Sequence, residues 1–329
     1  MIGERIHVAA GIVYNPDGEI LIAKRARRAH QGGLWEFPGG KKKTGESVTD
    51  ALRRELREEL GLIVDSARPF IRIKHDYPDK SVILDAWLIT QWHGLVQGKE
   101  GQEIFWASRN ELTTLPFPDA NRSIIKALGL PSLYLISPGP LGSDEAYLRE
   151  LERCLKAGAC LLQLRCRQKL IEQKPALIRQ TFELCNQYSA ILLLNASPGT
   201  ALEHETHGVH LSSVRLLQLN NRPLGKDYWV SASCHNKNEI THACRIGVDF
   251  IVLSPVEPTP SHPEAKPLGW EKFSRLADNA TVPVYALGGM NSSHLQKAWR
   301  HGAQGIAMLS GVWASASPAE RVRECVSAW

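Results

Sequence analysis

Residues 40–62 read GKKKTGESVTDALRRELREELGL, and their reading decides the fold of the first half of the chain. At about 100° per residue for an α-helix, Asp50, Arg53 and Arg57 point one way, while Val48, Ala51, Leu52, Leu56 and Leu60 sweep the opposite arc. A wet face and a packed face follow. Glu55, Glu58 and Glu59, at i, i+3 and i+4, project within or at the border of the apolar arc, where bare charge is costly unless paired or metal-bound. An ordinary surface helix, the alternative, would group its glutamates with Asp50, Arg53 and Arg57.

The stretch also fits G-x5-E-x7-R-E-U-x-E-E-x-G-U, with U aliphatic, at all of its specified positions: Gly40, Glu46, Arg54, Glu55, Leu56, Glu58, Glu59, Gly61 and Leu62. It resembles the Nudix hydrolase box. The resemblance implies hydrolysis of a nucleoside diphosphate linked to another group, with Mg²⁺ or Mn²⁺ held by the box glutamates, and hard cations do take such oxygen ligands. Gly40 is the candidate for a backbone carbonyl ligand, since two adjacent glycines let the chain approach an ion without a Cβ in the way.

Around the box, apolar or alternating runs at residues 6–14, 19–23, 81–91 and 103–107 predict strands, with the box helix between the second and third. Asn15-Pro16-Asp17-Gly18 predicts a hairpin turn between the first two. WEFPGG at 35–40, GKEGQ at 98–102 and PFPDAN at 116–121 narrow the resemblance to the MutT type, the hydrolases that convert 8-oxo-dGTP to the monophosphate. That type implies an α/β/α sandwich with a mixed sheet. On the same resemblance Glu100 joins Glu55, Glu58 and Glu59 around the metal, and Asn121 reads the oxidised purine through an amide that donates and accepts together. Arg25, Phe37, Tyr77 and Lys80 fall at base-pocket or phosphate-side positions, with Lys80 standing where an arginine is usual. Arg54 is read as orienting the carboxylates, and Glu46 as sharing that part or capping the helix. Without the resemblance, Phe37 and Tyr77 read as core aromatics, Glu100 as a solvated charge and Asn121 as the N-cap of a helix running to Leu128.

The chain has 329 residues, 43% hydrophobic and 22% charged, and a net charge of +5. It is long enough for two domains with substantial cores. The charge is small for this length, with one local cluster at Lys41–Lys43, so direct nucleic-acid or membrane-surface binding is not indicated. No apolar run approaches the ~18 residues a membrane span requires, and the start lacks a signal-peptide pattern, so a cytoplasmic protein is expected. Seven scattered cysteines without a CxxC pair predict reduced thiols.

Gly129 and Pro131 mark a boundary, giving domains 1–130 and 131–329. In the second, short apolar strands begin at Leu133, Leu161, Ile191, Gly208, Trp229, Phe250, Val284 and Gly305, most separated by helical stretches such as 145–157 and 174–188. Eight strands in β-then-α order predict a TIM (β/α)8 barrel, with an open doubly wound sheet as the alternative. Gln163, Arg165 and Arg167 alternate toward one face and offer two cations at the barrel mouth. Gly288-Gly289 and Ser310-Gly311 follow the seventh and eighth strands, where barrels hold phosphate on backbone N–H groups. A phosphate-bearing ligand is expected there.

QLRCR, GVHLS, SASCH, SPVEPTPSH, ALGG and GIAMLSG resemble the thiamine phosphate synthase and TenI family. Synthases of that family bind Mg²⁺ through acidic residues after the third and fourth strands. Here Asn195 is kept, but Ala196 and Arg215 stand at the carboxylate positions and His262 replaces a phosphate-loop lysine, which argues against thiamine phosphate synthesis. His235 falls where TenI-type proteins place a histidine proposed to move protons during thiazole tautomerisation, with Ser233 beside it. An imidazole titrating near neutrality suits that task; a structural histidine in a non-catalytic, ligand-sensing module is the competing reading. The whole chain is read as a Mg²⁺-dependent hydrolase of a small-molecule nucleotide, 8-oxo-dGTP by resemblance, joined to a TenI-like barrel. Hydrolysis of another pyrophosphate, such as a thiamine-pathway compound, is the alternative.

Overall fold

In the computed structural model, residues 5–138, 143–165, 174–259 and 264–327 are described. Arg167, His262 and Cys166 lie outside them. The chain separates into two compact units, Met1–Gly129 and Leu130–Trp329.

The first unit runs β1 (Ile6–Val13), β2 (Ile20–Lys24), β3 (Trp35–Glu36), β4 (Gly39–Lys41), α1 (Val48–Leu60), β5 (Ile63–Asp76), β6 (Ser81–His93), β7 (Ile104–Ala107), α2 (Arg109–Thr114) and α3 (Asp119–Leu128). One sheet has the order β4-β1-β6-β5 and a smaller one β3-β2-β7. From Ala9 to Val13 β1 is apolar and buried because both its faces are covered. Ala9 and Val13 pack with Leu52, Leu56 and Leu60 of α1, while Ala10 and Ile12 pack with Ile124 and Leu128 of α3. That is the α/β/α sandwich with a mixed sheet, β1 pairing parallel to β6 and antiparallel to β4.

α1 is fixed at both ends by its sequence. The Ser47 hydroxyl accepts from the Asp50 N–H at 3.1 Å, and Gly61 closes the helix in the left-handed region at φ 72°. Its leucines at 52, 56 and 60 are wholly buried, each stabilising by about 1.5–3 kcal/mol.

One expectation needs correction, and one alternative reading falls. The predicted β1–β2 hairpin is reduced to a single bridge, Tyr14 to Ile20, because β4 and β6 occupy both edges of β1 and β2 joins the other sheet. Asn121 is not a helix N-cap: α3 begins after Pro118, and the buried Asn121 sits in its first turn.

The second unit is a closed barrel of eight parallel strands, β8 (Leu133–Ser137), β9 (Leu161–Leu164), β10 (Ile191–Leu194), β11 (Gly208–Leu211), β12 (Trp229–Cys234), β13 (Phe250–Leu253), β14 (Val284–Ala286) and β15 (Gly305–Met308). Alternation along the strands creates two cores. Tyr134, Ile136, Leu193, Phe250, Val252 and Tyr285 fill the interior, while Leu133, Leu135, Leu192, Leu194, Ile251 and Leu253 face the helices. The described cysteines, Cys154, Cys160, Cys185, Cys234, Cys244 and Cys325, are free thiols. Among the described residues no helix is long and apolar enough to cross a membrane.

Candidate functional site

Arg54 organises the acidic end of the first unit. Its Nε and Nη2 donate to the two Glu46 oxygens at 2.9 and 3.0 Å, and its Nη1 to Glu55 at 2.6 Å and Glu58 at 3.3 Å. A further bond reaches the Lys41 carbonyl at 3.2 Å. The planar guanidinium thus ties the β4 strand, the turn before α1 and two box glutamates together. Glu46 accepts these bonds and one from the Lys43 N–H, which hold its carboxyl down at about 2, the Arg54 bonds contributing most. It is an organiser; Ser47 does the capping.

The glutamates are not equally placed. Glu55 is 15% exposed and Glu58 57% exposed, so Glu58 belongs to the rim and not to the border of the packed face. Glu59 is half-buried. The loop carrying Glu100 is drawn to it: Lys99 N–H and the Gln102 amide donate to the Glu59 carbonyl at 2.8 and 3.1 Å, and Gln102 Oε1 accepts from the Glu100 N–H at 2.9 Å. Burial, then the charges of Glu55, Glu100 and Glu36, push the Glu59 carboxyl up to about 8, while the Gly39 N–H opposes that rise.

Among the described residues, no three acidic, histidine or cysteine side chains stand close enough together to hold an ion as they are. The donor set still fits one. A half-buried carboxylate under the charges of three others is the crowding a hard divalent cation relieves. Gly40, paired with Ala9 of β1, leaves the space beside Glu55 clear of side-chain atoms.

On the Gly39–Lys41 strand lies a cavity of about 200 Å³. Arg25, Phe37, Tyr77, Lys80 and Asn121, scattered over the sequence, all line it, together with Gly39 and Gly40. Arg25 is ion-paired with Glu36, whose carboxyl burial pushes up against the pull of that arginine. Phe37 stacks on Phe117 at 5.8 Å. The Tyr77 hydroxyl accepts from the Ala120 N–H at 3.5 Å, and Asn121 Oδ1 accepts from Phe37 N–H at the same long distance. Sequence reasoning missed Glu36, although it sits between Trp35 and Phe37 in the quoted motif.

In the second unit a cavity of about 430 Å³ opens at the C-terminal ends of the strands, lined by Arg165, Asn195, Ser233, His235, Gly288, Gly289 and Ser310 among others. Gly311 is not among the lining residues. Gly288 and Gly289 adopt φ of 97° and 68°, and a Cβ on Gly289 would stand 2.6 Å from the Pro258 carbonyl oxygen. His235 lies within 2.8 Å of the Ser254 carbonyl through Nδ1. A carbonyl only accepts, so Nδ1 carries the proton and Nε2 the lone pair.

Behind it runs a buried chain that sequence reasoning did not find. Arg215 Nη1 donates to Asn195 Oδ1 at 3.1 Å, Asn195 Nδ2 to Gln163 Oε1 at 2.9 Å, and Gln163 Nε2 to the Tyr134 hydroxyl at 3.2 Å. Tyr134 then passes its own proton toward His210 Nδ1 (3.3 Å) or Ser231, whose hydroxyl is 2.8 Å from the same nitrogen. His210 Nε2 stands 2.8 Å from Ser233 Oγ, so the imidazole links the chain to a hydroxyl at the cavity wall. Burial, then Arg165 and Arg215, push the His210 pKa down to about 3. The signal was present in GVHLS: Val209 and Leu211 face the helices, so His210 must point inward.

Residues 9–127 match the NUDIX domain family and residues 133–312 match the family described as Thiamine monophosphate synthase. The first unit is similar to the 8-oxo-dGTP diphosphatase of Escherichia coli, 38% identical over 38% of this chain and 97% of that protein. It is also similar to the CTP pyrophosphohydrolase of the same organism, 37% identical over 37% of this chain and 90% of that protein. The second is similar to a putative thiamine-phosphate synthase 2 of Aquifex aeolicus, 34% identical over 55% of this chain and 97% of that protein. Nudix hydrolases generally use divalent metal ions. The chain therefore belongs to two families at once, the Nudix hydrolases, of MutT-like type, and the thiamine monophosphate synthase/TenI family.

Proposed function

We propose that the first unit hydrolyses 8-oxo-dGTP to 8-oxo-dGMP and pyrophosphate with Mg²⁺, clearing an oxidised nucleotide from the pool. The observation that carries this reading is the 200 Å³ cavity, where Arg25, Phe37, Tyr77, Lys80 and Asn121 converge with Gly40, whose other neighbour is the Glu55 carboxylate. Phe37 supplies an apolar surface for the base, and the Asn121 amide pairs with an edge that offers both a carbonyl and an N–H, as an 8-oxopurine does. Its present bond to Phe37 N–H is long enough to be given up. Arg25 and Lys80 face the phosphate side. Glu55, Glu58, Glu59, Glu100 and the Gly40 carbonyl would hold the metal, which supplies charge to offset that developing on the departing phosphate and makes water a better nucleophile. Arg54 keeps Glu55 and Glu58 aimed, and one of the glutamates accepts the proton of the attacking water. One P–O–P bridge is cleaved per water consumed.

A second reading, hydrolysis of a different pyrophosphate, is favoured by Lys80, a point charge where a forked arginine is usual in the MutT type. The test is kcat/KM with Mg²⁺ for 8-oxo-dGTP, dGTP and CTP side by side, with thiamine diphosphate and ADP-ribose in the panel. A large preference for the oxidised nucleotide supports the first reading; its absence transfers the chemistry to the winning substrate.

For the second unit we propose a site for a phosphate-bearing small molecule, supported by the Gly288-Gly289 backbone at the cavity wall. His235, with its lone pair on Nε2, is placed to accept a proton from that ligand.

A further inference from the structure

The synthase pattern relies on Mg²⁺ held by carboxylates after the third and fourth barrel strands, and the residues here do not fit that ion. Ala196, after β10, is fully buried. Arg215 lies in the short helix that follows β11. Among the described residues lining the 430 Å³ cavity there is no aspartate or glutamate.

What replaces the missing charge is cationic. Arg165 lines the cavity at the end of β9, and Arg215, not itself a lining residue, is bonded to Asn195, which is. Neither guanidinium meets a carboxylate among the described residues. Both act on the same buried imidazole, His210, which their charge helps keep neutral. Two guanidinium groups without a carboxylate partner, Arg165 exposed at the cavity and Arg215 half-buried behind Asn195, leave positive charge that an anion in the cavity offsets. The chain from Arg215 ends at the Ser233 hydroxyl, which lines the same space.

Resting on the reading of this cavity as a phosphate site, we propose that it binds a diphosphate-class anion without a divalent metal, Arg165 and Arg215 supplying the positive charge that Mg²⁺ supplies in a synthase. Guanidinium groups suit this role because their planar donors match phosphoryl oxygens in pairs.

The experiment is calorimetric titration of the full chain, in excess EDTA, with inorganic pyrophosphate and separately with inorganic phosphate. Pyrophosphate is expected to bind more tightly than phosphate. Arg215→Gln, which keeps a donor for Asn195 but no charge, is expected to weaken pyrophosphate binding roughly tenfold or more, with Arg215→Lys recovering part of the loss and the thermal midpoints of all three proteins agreeing. Pyrophosphate binding unchanged in Arg215→Gln overturns the proposal, as does a failure of wild-type protein to bind pyrophosphate in EDTA. If phosphate binds and pyrophosphate binds no better, the phosphate reading stands and the two-arginine proposal falls. If neither binds, both fall.

Discussion

Gly40 lies so close to Glu55 that a Cβ at residue 40 would stand 2.6 Å from Glu55 Oε1 and nearer still to its Cδ. Only glycine lets the carboxylate occupy that place. The φ of Gly40 is not in the left-handed region, so an alanine there strains the neighbour and not the backbone. Gly40→Ala is expected to displace Glu55 and lose most of the hydrolytic kcat, while circular dichroism and the thermal midpoint stay close to wild type. Wild-type turnover would show that Glu55 can move without consequence.

Glu58 is exposed, and among the described residues its side chain pairs with Arg54 alone, at 3.3 Å. Removing its charge should cost the fold little and the chemistry much. Glu58→Gln is expected to lower kcat by about 10²-fold or more with an unaltered midpoint, whereas Arg53→Gln, on the wet face of the same helix, should leave kcat unchanged. Near-normal turnover of Glu58→Gln would remove that residue from the metal set.

Asn121 lines the small cavity, and among the described residues its amide is held by one bond of 3.5 Å. Asn121→Ala is expected to reduce the ratio of kcat/KM for 8-oxo-dGTP over dGTP by about tenfold, the worth of one or two hydrogen bonds to a base edge. An unchanged ratio would place base discrimination elsewhere in the pocket.

His210 sets a pH dependence for the barrel. Its folded pKa of about 3 lies below the ordinary 6.5, first through burial. Between those values the unfolded chain binds a proton that the folded chain does not. Stability is therefore full above pH 6.5 and falls as pH falls toward 3, by about 1.4 kcal/mol per unit. His210→Gln should flatten that slope in denaturant unfolding between pH 7 and 5; equal slopes in both proteins would show that the imidazole is not kept neutral by the fold.

The sequence by itself determined the elements and the families. The 3.6-residue period of Leu52, Leu56 and Leu60, with Ser47 and Gly61 at its ends, fixed α1, because capping and burial are local properties. Eight short apolar runs, most separated by helical stretches, fixed the barrel strands. Other elements were not legible: the 14-residue β5 has mixed burial and bulges against β6, so no clean period marks it. Only the tertiary structure decided which residues meet. It made Glu58 a rim residue and Glu59 a half-buried one, although they are adjacent, since the packing of the 98–102 loop covers one and not the other. It also turned Tyr134, Gln163, Asn195, His210 and Arg215, five positions on separate strands and loops, into one hydrogen-bonded chain. Sequence spacing carries no record of such a chain, because closing the barrel is what brings those side chains within bonding distance.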